Sequence, residues 1–282
     1  MKKKTWIYIV LFLLCVAAFV LYRMVDGIRT DNKAPEIQFG EVLTISVNDP
    51  EDALFRGVKA EDDRDGNVTS SVVVESITMA DPGKPARVVY AAFDKAGNVA
   101  KAERELIYTD YSSPKFHLSA PLLYVSGNTF DVLDRVQAND VLEGDISQRV
   151  RATAMTENSI ANIGVHDVQF RVTNSLGDTV NLVLPVEVYS AEVYRANLTL
   201  TDYLVYVKAG AAFNPRDYLY EFTILDESHY LRGSFPSELK LKISGSVDTN
   251  TPGVYAVSYT VTGELRETEY AGYSKLIVIV EG

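Results

Sequence analysis

The sequence predicts an all-β chain of three tandem β-sandwiches that follow one N-terminal transmembrane helix. Three observations support this fold class. An uncharged apolar run lies near the N-terminus, two long units of the chain repeat each other and a more divergent copy follows, and apolar residues alternate with polar ones along short segments. Alternation with a period of two is typical of strands that bury one face.

The N-terminal segment has the length and composition of a membrane anchor. Residues Trp6–Tyr22 read WIYIVLFLLCVAAFVLY, and the apolar character extends to Val25 with Arg23 as an interruption. About 20 such residues span a bilayer core of roughly 30 Å. Three lysines at positions 2–4 precede the run, and the positive-inside tendency keeps that end cytoplasmic. The segment predicts a single-pass protein of the cell membrane, with a cytoplasmic N-terminus and extracellular C-terminal domains.

Two alternatives to the uncleaved anchor stay open. The segment Val16-Ala17-Ala18 is a weak small-residue cleavage site for a signal peptide, although the apolar run continues past it. Lipidation at Cys15 is the other, but Leu14 is bulky where a bacterial lipoprotein signal needs a small residue.

The chain has 1 cysteine, so no intrachain disulfide can form and each domain depends on its hydrophobic core.

The charge of the chain is acidic outside the apolar segment. The formal net charge is −11, and four of the 27 basic residues precede Asp26, the first acidic residue. Residues 26–282 therefore hold 23 basic and 38 acidic side chains. A negative field repels phosphate backbones, so nucleic acid is excluded as a partner.

Two successive units repeat each other at offsets of 78 to 80 residues. Gly66 in AEDDRDGNVTSSV matches Gly144 in ANDVLEGDISQRV, and Gly97 in DKAGNV matches Gly177 in NSLGDT. A third, divergent copy follows, in which GVHDVQFRVT at 164–173 returns as GVYAVSYTVT at 253–262. Repeats of this length are too long for solenoids and long enough to fold as separate domains.

The repeated segments have the pattern of strands. Val168, Phe170 and Val172 alternate with Gln169 and Arg171, and glycine-containing turns connect such runs. No segment beyond the anchor carries a sustained helical stripe of apolar residues. Several short strands in about 80 residues predict a two-sheet sandwich in each unit.

The motifs AEDDRDGNVTSSV, AAFDKAGNVA and LKISGSVDTNTPGVYAVSYTVT resemble the bacterial cell-surface immunoglobulin-like repeats, a type also appended to some insecticidal crystal toxins. The resemblance covers roughly residues 34–282. It implies immunoglobulin-like β-sandwiches on exported proteins, often in tandem, and it implies no particular activity. The third unit departs most, because ILDESHYLRGSFPSEL replaces its Asp-Gly turn.

The repeats and the apolar run divide the chain into six predicted segments. These are a cytoplasmic tail (1–5), the anchor (6–25), a linker (26–33), immunoglobulin-like domain 1 (34–111), domain 2 (112–190) and the divergent domain 3 (191–282).

Signals for catalysis are weak, and the sequence predicts a protein that is not an enzyme and has no cofactor. His117, His166 and His229 lie at unrelated repeat positions and do not form a metal-ligand spacing. His166 lies in an alternating strand, at a position where we expect a surface residue. No phosphate loop, dinucleotide fingerprint or nucleophile elbow is present.

One acidic loop is a candidate calcium site. In Glu61-Asp62-Asp63-Arg64-Asp65-Gly66-Asn67, oxygen ligands at Asp63, Asp65 and Asn67 alternate before and after a glycine, as at the start of a calcium loop. Position 12, counted from Glu61, is Val72 and not the bidentate glutamate of an EF-hand. An Asp-Gly turn between strands is the simpler interpretation.

Tyrosine is concentrated in the third unit, where its amphipathic ring suits partner contacts. Candidates without counterparts in the second unit are Tyr218, Tyr220, Tyr230, Tyr270 and Tyr273. Ordinary strand packing is the alternative for each of them.

These observations predict a non-catalytic, membrane-anchored extracellular repeat protein. Its role is cell-surface binding or adhesion, or that of a structural spacer, and the expected partner is an extracellular protein or a cell-wall glycan. The alternative function is an accessory or sensor subunit of a membrane complex in the cell envelope. An enzyme with an unrecognised site is the third hypothesis.

Overall fold

A computed structural model describes residues 3–29, 31–79, 81, 84–155, 160–190, 196–225, 227–231, 235–265 and 267–282. The chain divides into two compact units, Met1–Tyr111 and Ser112–Gly282. The first contains an apolar helix and one β-sandwich, and the second contains two β-sandwiches. The predicted all-β fold class with three sandwiches after an apolar helix is confirmed.

The N-terminal helix α1 runs from Lys3 to Arg29. Its segment Trp6–Met24 has a mean hydropathy of 2.4, and none of it is buried within the protein. A helix of this length and composition can cross a bilayer, and a signal sequence has the same properties.

The first sandwich pairs a three-stranded sheet with a four-stranded sheet. Its strands are β1 (Glu36–Gln38), β2 (Val42–Ile45), β3 (Lys59–Asp62), β4 (Gly66–Asn67), β5 (Val73–Thr78), β6 (Ala86–Phe93) and β7 (Val99–Tyr108). The strand orders are β1-β3-β4 and β2-β7-β6-β5. Strands β2 and β7 pair in parallel, and the other neighbours are antiparallel.

The second sandwich repeats this topology. Its strands are β8 (Lys115–Leu118), β9 (Leu123–Val125), β10 (Val136–Asp140), β11 (Gly144–Asp145), β12 (Arg151–Ala154), β13 (Gly164–Thr173) and β14 (Thr179–Tyr189). The strand orders are β8-β10-β11 and β9-β14-β13-β12, again with one parallel pair, β9 with β14. A 3-10 helix, Val132–Arg135, connects β9 to β10, as Glu51–Phe55 connects β2 to β3.

The third sandwich keeps the same order but lengthens some strands. Its strands are β15 (Asn197–Leu200), β16 (Leu204–Lys208), β17 (Leu219–Ile224), β18 (Glu227–Tyr230), β19 (Lys240–Ser244), β20 (Gly253–Leu265) and β21 (Thr268–Glu281). The orders are β15-β17-β18 and β16-β21-β20-β19. Strand β18 stands where the other sandwiches have the two-residue strands β4 and β11, so part of the divergent segment extends a sheet.

Period-two alternation explains which side chains fill each core. In the second sandwich Val168, Phe170 and Val172 of β13 are at most 1% exposed, and the residues between them are more exposed. Tyr90 occupies the place of Phe170 in the first sandwich, and Tyr259 occupies it in the third, both fully buried. Each large buried ring contributes roughly 2–3 kcal/mol by leaving water.

The second and third sandwiches share buried contacts. Leu204 of β16 and Ile277 of β21 belong to the third sandwich but are buried in the core of the second. The Tyr206 hydroxyl accepts a hydrogen bond from the backbone N–H of Phe116 at 2.9 Å. Burial raises the pKa of Tyr206 to about 12. These two sandwiches are therefore packed against each other rather than hinged.

A buried ion pair reinforces this junction. The Lys275 ammonium, on a residue that is 7% exposed, contacts the Glu187 carboxylate of β14. The Tyr273 hydroxyl donates a hydrogen bond to the same carboxylate at 3.0 Å. A buried charge is tolerated only when it is paired in this way.

Candidate functional site

A pocket at one end of the second sandwich combines aromatic rings with exposed carboxylates. It has a volume of about 290 Å³. It lies where β9 ends and the chain turns into the 3-10 helix Val132–Arg135. The residues that line it are Leu123, Tyr124, Val125, Asn128, Thr129, Phe130, Asp131, Asp134, Arg135 and Tyr189.

Two stacked rings form the apolar part of the pocket. The centroids of Tyr124 and Phe130 lie 4.0 Å apart with an interplanar angle of 18°. Tyr124 is 4% exposed, because it belongs to β9 and contributes to the core of the sandwich. Phe130 is half-buried, so part of its ring remains accessible at the pocket. Stacked aromatic pairs hold their geometry and present a rigid apolar surface.

Arg135 fixes the other side of the tyrosine. Its guanidinium lies 4.3 Å from the centroid of the Tyr124 ring, in a cation–π contact. The same group donates hydrogen bonds to the carbonyl oxygens of Pro121 at 2.5 Å and Leu123 at 2.7 Å. The guanidinium is thus held by backbone groups and covers one face of the ring.

The polar wall of the pocket is acidic. One oxygen of Asp131 accepts a hydrogen bond from the backbone N–H of Leu133 and caps the 3-10 helix. Asp134 and Asn128 are exposed. The Tyr124 hydroxyl is buried and has no hydrogen-bond partner among the described residues. Burial raises the pKa of Tyr124, and the negative charges of Asp134 and Asp131 add to this effect while Arg135 opposes it.

The two aromatic residues of the pocket are present in the second sandwich and are not repeated at the matching positions of the first. At an offset of 79 residues, Ile45 and Glu51 occupy the positions of Tyr124 and Phe130 in the first unit. The first sandwich therefore has the corresponding strand and 3-10 helix without the stacked rings. In the sequence, the segment LLYVSGNTF at 122–130 contains both rings and is followed by two aspartates and an arginine, and this cluster is the signal that could have indicated the pocket.

In the acidic loop of the first sandwich, each of the three calcium candidates makes its own hydrogen bonds or ion pairs. An oxygen of Asp63 accepts from the Lys33 ammonium at 2.8 Å, and the Asp65 carboxylate accepts from the backbone N–H and the ammonium of Lys95. The side-chain oxygen of Asn67 accepts from the Thr69 N–H. The predicted set Asp63, Asp65 and Asn67 is therefore engaged in turn and ion-pair contacts, and calcium binding there stays a prediction.

A different acidic group converges beside that loop. Ligand oxygens of Asp31, Asp62 and Asp63 lie within 4.8 Å of one another. The Lys33 ammonium and the Arg64 guanidinium pair with this group, the latter 3.8 Å from Asp31. Cationic side chains already neutralise part of the charge that would attract a metal ion.

The five candidate tyrosines of the third sandwich do not form one surface contact. Tyr218 is half-buried and stacks on Phe213 with centroids 5.6 Å apart. Tyr220 and Tyr230 are exposed and meet edge to face at 6.1 Å. Tyr270 packs against the core of the third sandwich, and Tyr273 bonds to Glu187 of the second. Tyr220 and Tyr230 are the two exposed members of this set, and a partner contact at any of the five stays a prediction.

The histidines also differ from the expectation at one position. His166 is 6% exposed, and one of its ring nitrogens lies 2.7 Å from the carbonyl oxygen of Asn162. The surface prediction for His166 is wrong, because this residue shares the inward face of β13 with Val168 and Phe170. His117 is exposed and His229 is half-buried.

The fold and the pocket define a tandem β-sandwich protein with a small concave site. The pesticidal crystal protein Cry22Aa of Bacillus thuringiensis is 27% identical over 212 residues, which are 73% of this chain and 27% of that protein. An uncharacterised 81.3 kDa protein of Acholeplasma phage L2 is 27% identical over 123 residues, 44% of this chain and 15% of the phage protein. The chain thus spans only about a quarter or less of these relatives. No protein-family model matches the chain.

Solved structures of sandwich proteins align with the chain at low similarity. A Clostridium perfringens ZmpB structure, of CBM51-2 in complex with GlcNAc and INT domains, is 18% identical, with 87% of this chain and 41% of that chain covered, at a TM-score of 0.22. Drosophila N-cadherin EC1-4 is 12% identical, with 90% and 76% covered, at a TM-score of 0.24. Similarity at this level does not establish a shared function.

Proposed function

We propose that this chain is a non-catalytic protein that is anchored in the cell membrane by α1 and exposes its three sandwiches outside the cell. Its function is cell-surface binding or adhesion, with an extracellular protein or a glycan as partner. The alternative is an accessory or sensor subunit of an envelope complex. The pocket around Tyr124 and Phe130 is the observation that carries the binding function, because it is concave, partly apolar and open to polar ligands.

Two features support the location outside the cell. The apolar segment Trp6–Met24 has the length to span a bilayer, and lysines precede it on the side that the positive-inside tendency keeps cytoplasmic. The sandwiches that follow are acidic, which suits solubility and disfavours adsorption to anionic lipid head groups.

Accessibility of single cysteines on intact cells tests this topology. In a Cys15→Ala background, we expect a membrane-impermeant maleimide to label Asp52→Cys, an exposed site on the first sandwich, in intact cells. Lys2→Cys should react only after lysis. Labelling of the second variant in intact cells, or protection of the first, would contradict the orientation.

The mass of the mature protein separates the anchor from a signal peptide. An intact N-terminal helix gives the full mass of the chain, whereas a start near residue 19 shows cleavage and removes the anchor from the proposal.

Crosslinking in intact membranes tests the alternative function, the accessory subunit. A single stoichiometric membrane partner that is crosslinked through α1 would favour the accessory subunit over an independent binding protein.

A further inference from the structure

We infer that the pocket of the second sandwich binds one ring of a neutral saccharide. This inference deepens the binding function proposed above and rests on it for its biological setting. The size of the pocket, its aromatic surface, its charge and one buried hydroxyl group favour this ligand class.

The size and surface of the pocket suit a pyranose ring. A volume of about 290 Å³ lies just below the range for drug-sized ligands, roughly 300–1,000 Å³, which suits a single sugar ring. A sugar ring carries C–H groups on its faces and hydroxyl groups around its edge. The accessible part of Phe130 can pack against the C–H face while Asp131, Asp134 and Asn128 surround the edge.

The charge of the lining excludes anionic ligands. Asp131 and Asp134 contribute two carboxylates, and Arg135 is the single basic residue of the lining. Nη1 of Arg135 donates to the carbonyl oxygens of both Pro121 and Leu123, so part of the guanidinium is already engaged and the two carboxylates outnumber it. Carboxylates accept hydrogen bonds strongly from hydroxyl groups, and this favours a polyol that donates them.

The aromatic surface does not favour a cationic ligand. A cation binds best over the face of an electron-rich ring, and one face of Tyr124 already carries the Arg135 guanidinium at 4.3 Å. The other face is stacked on Phe130. A positive charge stacked on this pair would be repelled by the Arg135 guanidinium even though Asp131 and Asp134 attract it, so we assign the aromatic surface to a neutral ring.

The buried hydroxyl of Tyr124 supplies a specific contact. It has no hydrogen-bond partner among the described residues, and an unsatisfied buried polar group of this kind costs about 1–3 kcal/mol. A sugar hydroxyl, or a water held by one, would satisfy it once a small shift of the lining lets it reach the oxygen. The first sandwich has Ile45 at this position, so we expect the site in the second sandwich and not in the first.

The test uses the full chain in nanodiscs or a zwitterionic detergent, because glycosidic detergents carry the ligand class itself. The probe is an array of neutral hexose and N-acetylhexosamine oligosaccharides, with a sialylated oligosaccharide and a lysine-rich peptide as competing ligand classes. Saccharides that bind are then titrated by calorimetry against Phe130→Leu and Asp134→Ala. The control is Asp52→Ala, which removes an exposed carboxylate from the corresponding 3-10 helix of the first sandwich.

We expect a neutral saccharide to bind with a dissociation constant of about 1 mM or tighter, since single sugar rings offer few contacts. Phe130→Leu and Asp134→Ala should each weaken binding about tenfold, and Asp52→Ala should leave it unchanged. Circular dichroism must show both pocket variants folded, and Asp134→Ala serves alone if Phe130→Leu does not fold.

Three results would overturn the inference. These are preferential binding of the sialylated or the lysine-rich probe, binding of a neutral saccharide that neither variant weakens, and no binding of any probe at about 10 mM. The topology experiment is independent of these outcomes. An extracellular location with no saccharide binding would leave the proposed function standing, and binding by a chain that is not exposed would refute only the proposed location.

Discussion

The first and second sandwiches have the same strand order but differ in two places. The second has the stacked rings Tyr124 and Phe130 and a complete hydrogen-bond set around Asp140. The first has Ile45 and Glu51 at the ring positions, and one oxygen of Asp62, the counterpart of Asp140, has no partner within the described part of the chain. The repeat therefore supplies a backbone, and a few substitutions decide whether a copy carries the stacked rings.

The buried aspartates show the difference at atomic detail. In both sandwiches one oxygen of the aspartate accepts two backbone N–H groups of the following turn. The second oxygen of Asp140 also accepts from the Asn174 amide at 2.9 Å, whereas that of Asp62 has no partner among the described residues. The corresponding residue in the first sandwich is Asp94, a carboxylate that cannot donate.

The largest predicted effect lies at the junction of the second sandwich with the third. Glu187→Ala leaves the buried Lys275 ammonium without its carboxylate, and we expect a loss of about 3–5 kcal/mol. Glu103→Ala in the first sandwich removes an exposed ion pair with Arg87 and should cost less than about 1 kcal/mol. Denaturant unfolding monitored by hydrogen exchange measures both. Equal losses would contradict the buried junction.

The next effect concerns the arginine that holds the pocket. Arg135→Ala removes two hydrogen bonds to backbone carbonyls and the contact with the Tyr124 ring, so we expect a loss of about 2–3 kcal/mol in the second sandwich. Arg56, at the corresponding position of the first sandwich, is exposed and lies 4.0 Å from Asp49. Arg56→Ala should cost about 0.5 kcal/mol or less.

Hydrogen exchange resolved to each sandwich measures the two arginine variants. If Arg135→Ala lowers the stability of the second sandwich no more than Arg56→Ala lowers that of the first, the guanidinium does not hold the pocket.

A smaller effect separates the two buried aspartates. An asparagine at position 140 cannot accept from both the turn N–H groups and the Asn174 amide, so Asp140→Asn should cost about 1–2 kcal/mol. Asp62→Asn keeps one accepting oxygen and replaces an oxygen that no described residue contacts by a hydrogen bond, so its cost should stay within about 0.5 kcal/mol. Thermal unfolding of the two variants compares them. A larger loss for Asp62→Asn would show that its carboxylate has a partner, such as a bound ion.

The smallest effect is acid sensitivity. A hydrogen bond from Arg149 is the main cause that lowers the pKa of Glu143, and hydrogen bonds from Lys95 lower that of Asp65. A folded-state pKa below the unfolded value means that each carboxylate stabilises the protein above about pH 5 and loses this effect as the pH falls through its folded pKa. Glu143→Gln should flatten the acid side of the pH–stability curve for the second sandwich only, and Asp65→Asn should do so for the first. Melting between about pH 3 and 7 measures this.

Much of the fold follows from local sequence rules. Alternation in β13 identifies Val168, Phe170 and Val172 as core, and the repeated glycine turn at Gly177 falls between the paired strands β13 and β14. The same alternation places His166 inward, so the surface prediction is wrong because strand parity, and not the polarity of the side chain, decides its burial. A buried imidazole is tolerated here because a carbonyl oxygen lies 2.7 Å from its ring nitrogen.

The pocket of the second sandwich was harder to predict from the sequence than the strands. Tyrosine enrichment directed attention to the third unit, but Tyr273 is engaged with Glu187 within the chain and Tyr270 contributes to a core. The pocket depends on how β9 and the following 3-10 helix bring Tyr124, Phe130 and Arg135 together. Such contacts between residues six to eleven positions apart are set by the turn geometry, which alternation does not encode.

The most direct test of the central claim is ¹⁹F NMR of the full chain labelled with fluorophenylalanine. Phe130→Leu assigns the Phe130 resonance, and a neutral saccharide from the array is then added. The claim that the second sandwich carries the site predicts a concentration-dependent shift of the Phe130 resonance, with the resonances of Phe39 and Phe55 in the first sandwich unchanged. A saccharide that binds and shifts other resonances while Phe130 stays constant would contradict it.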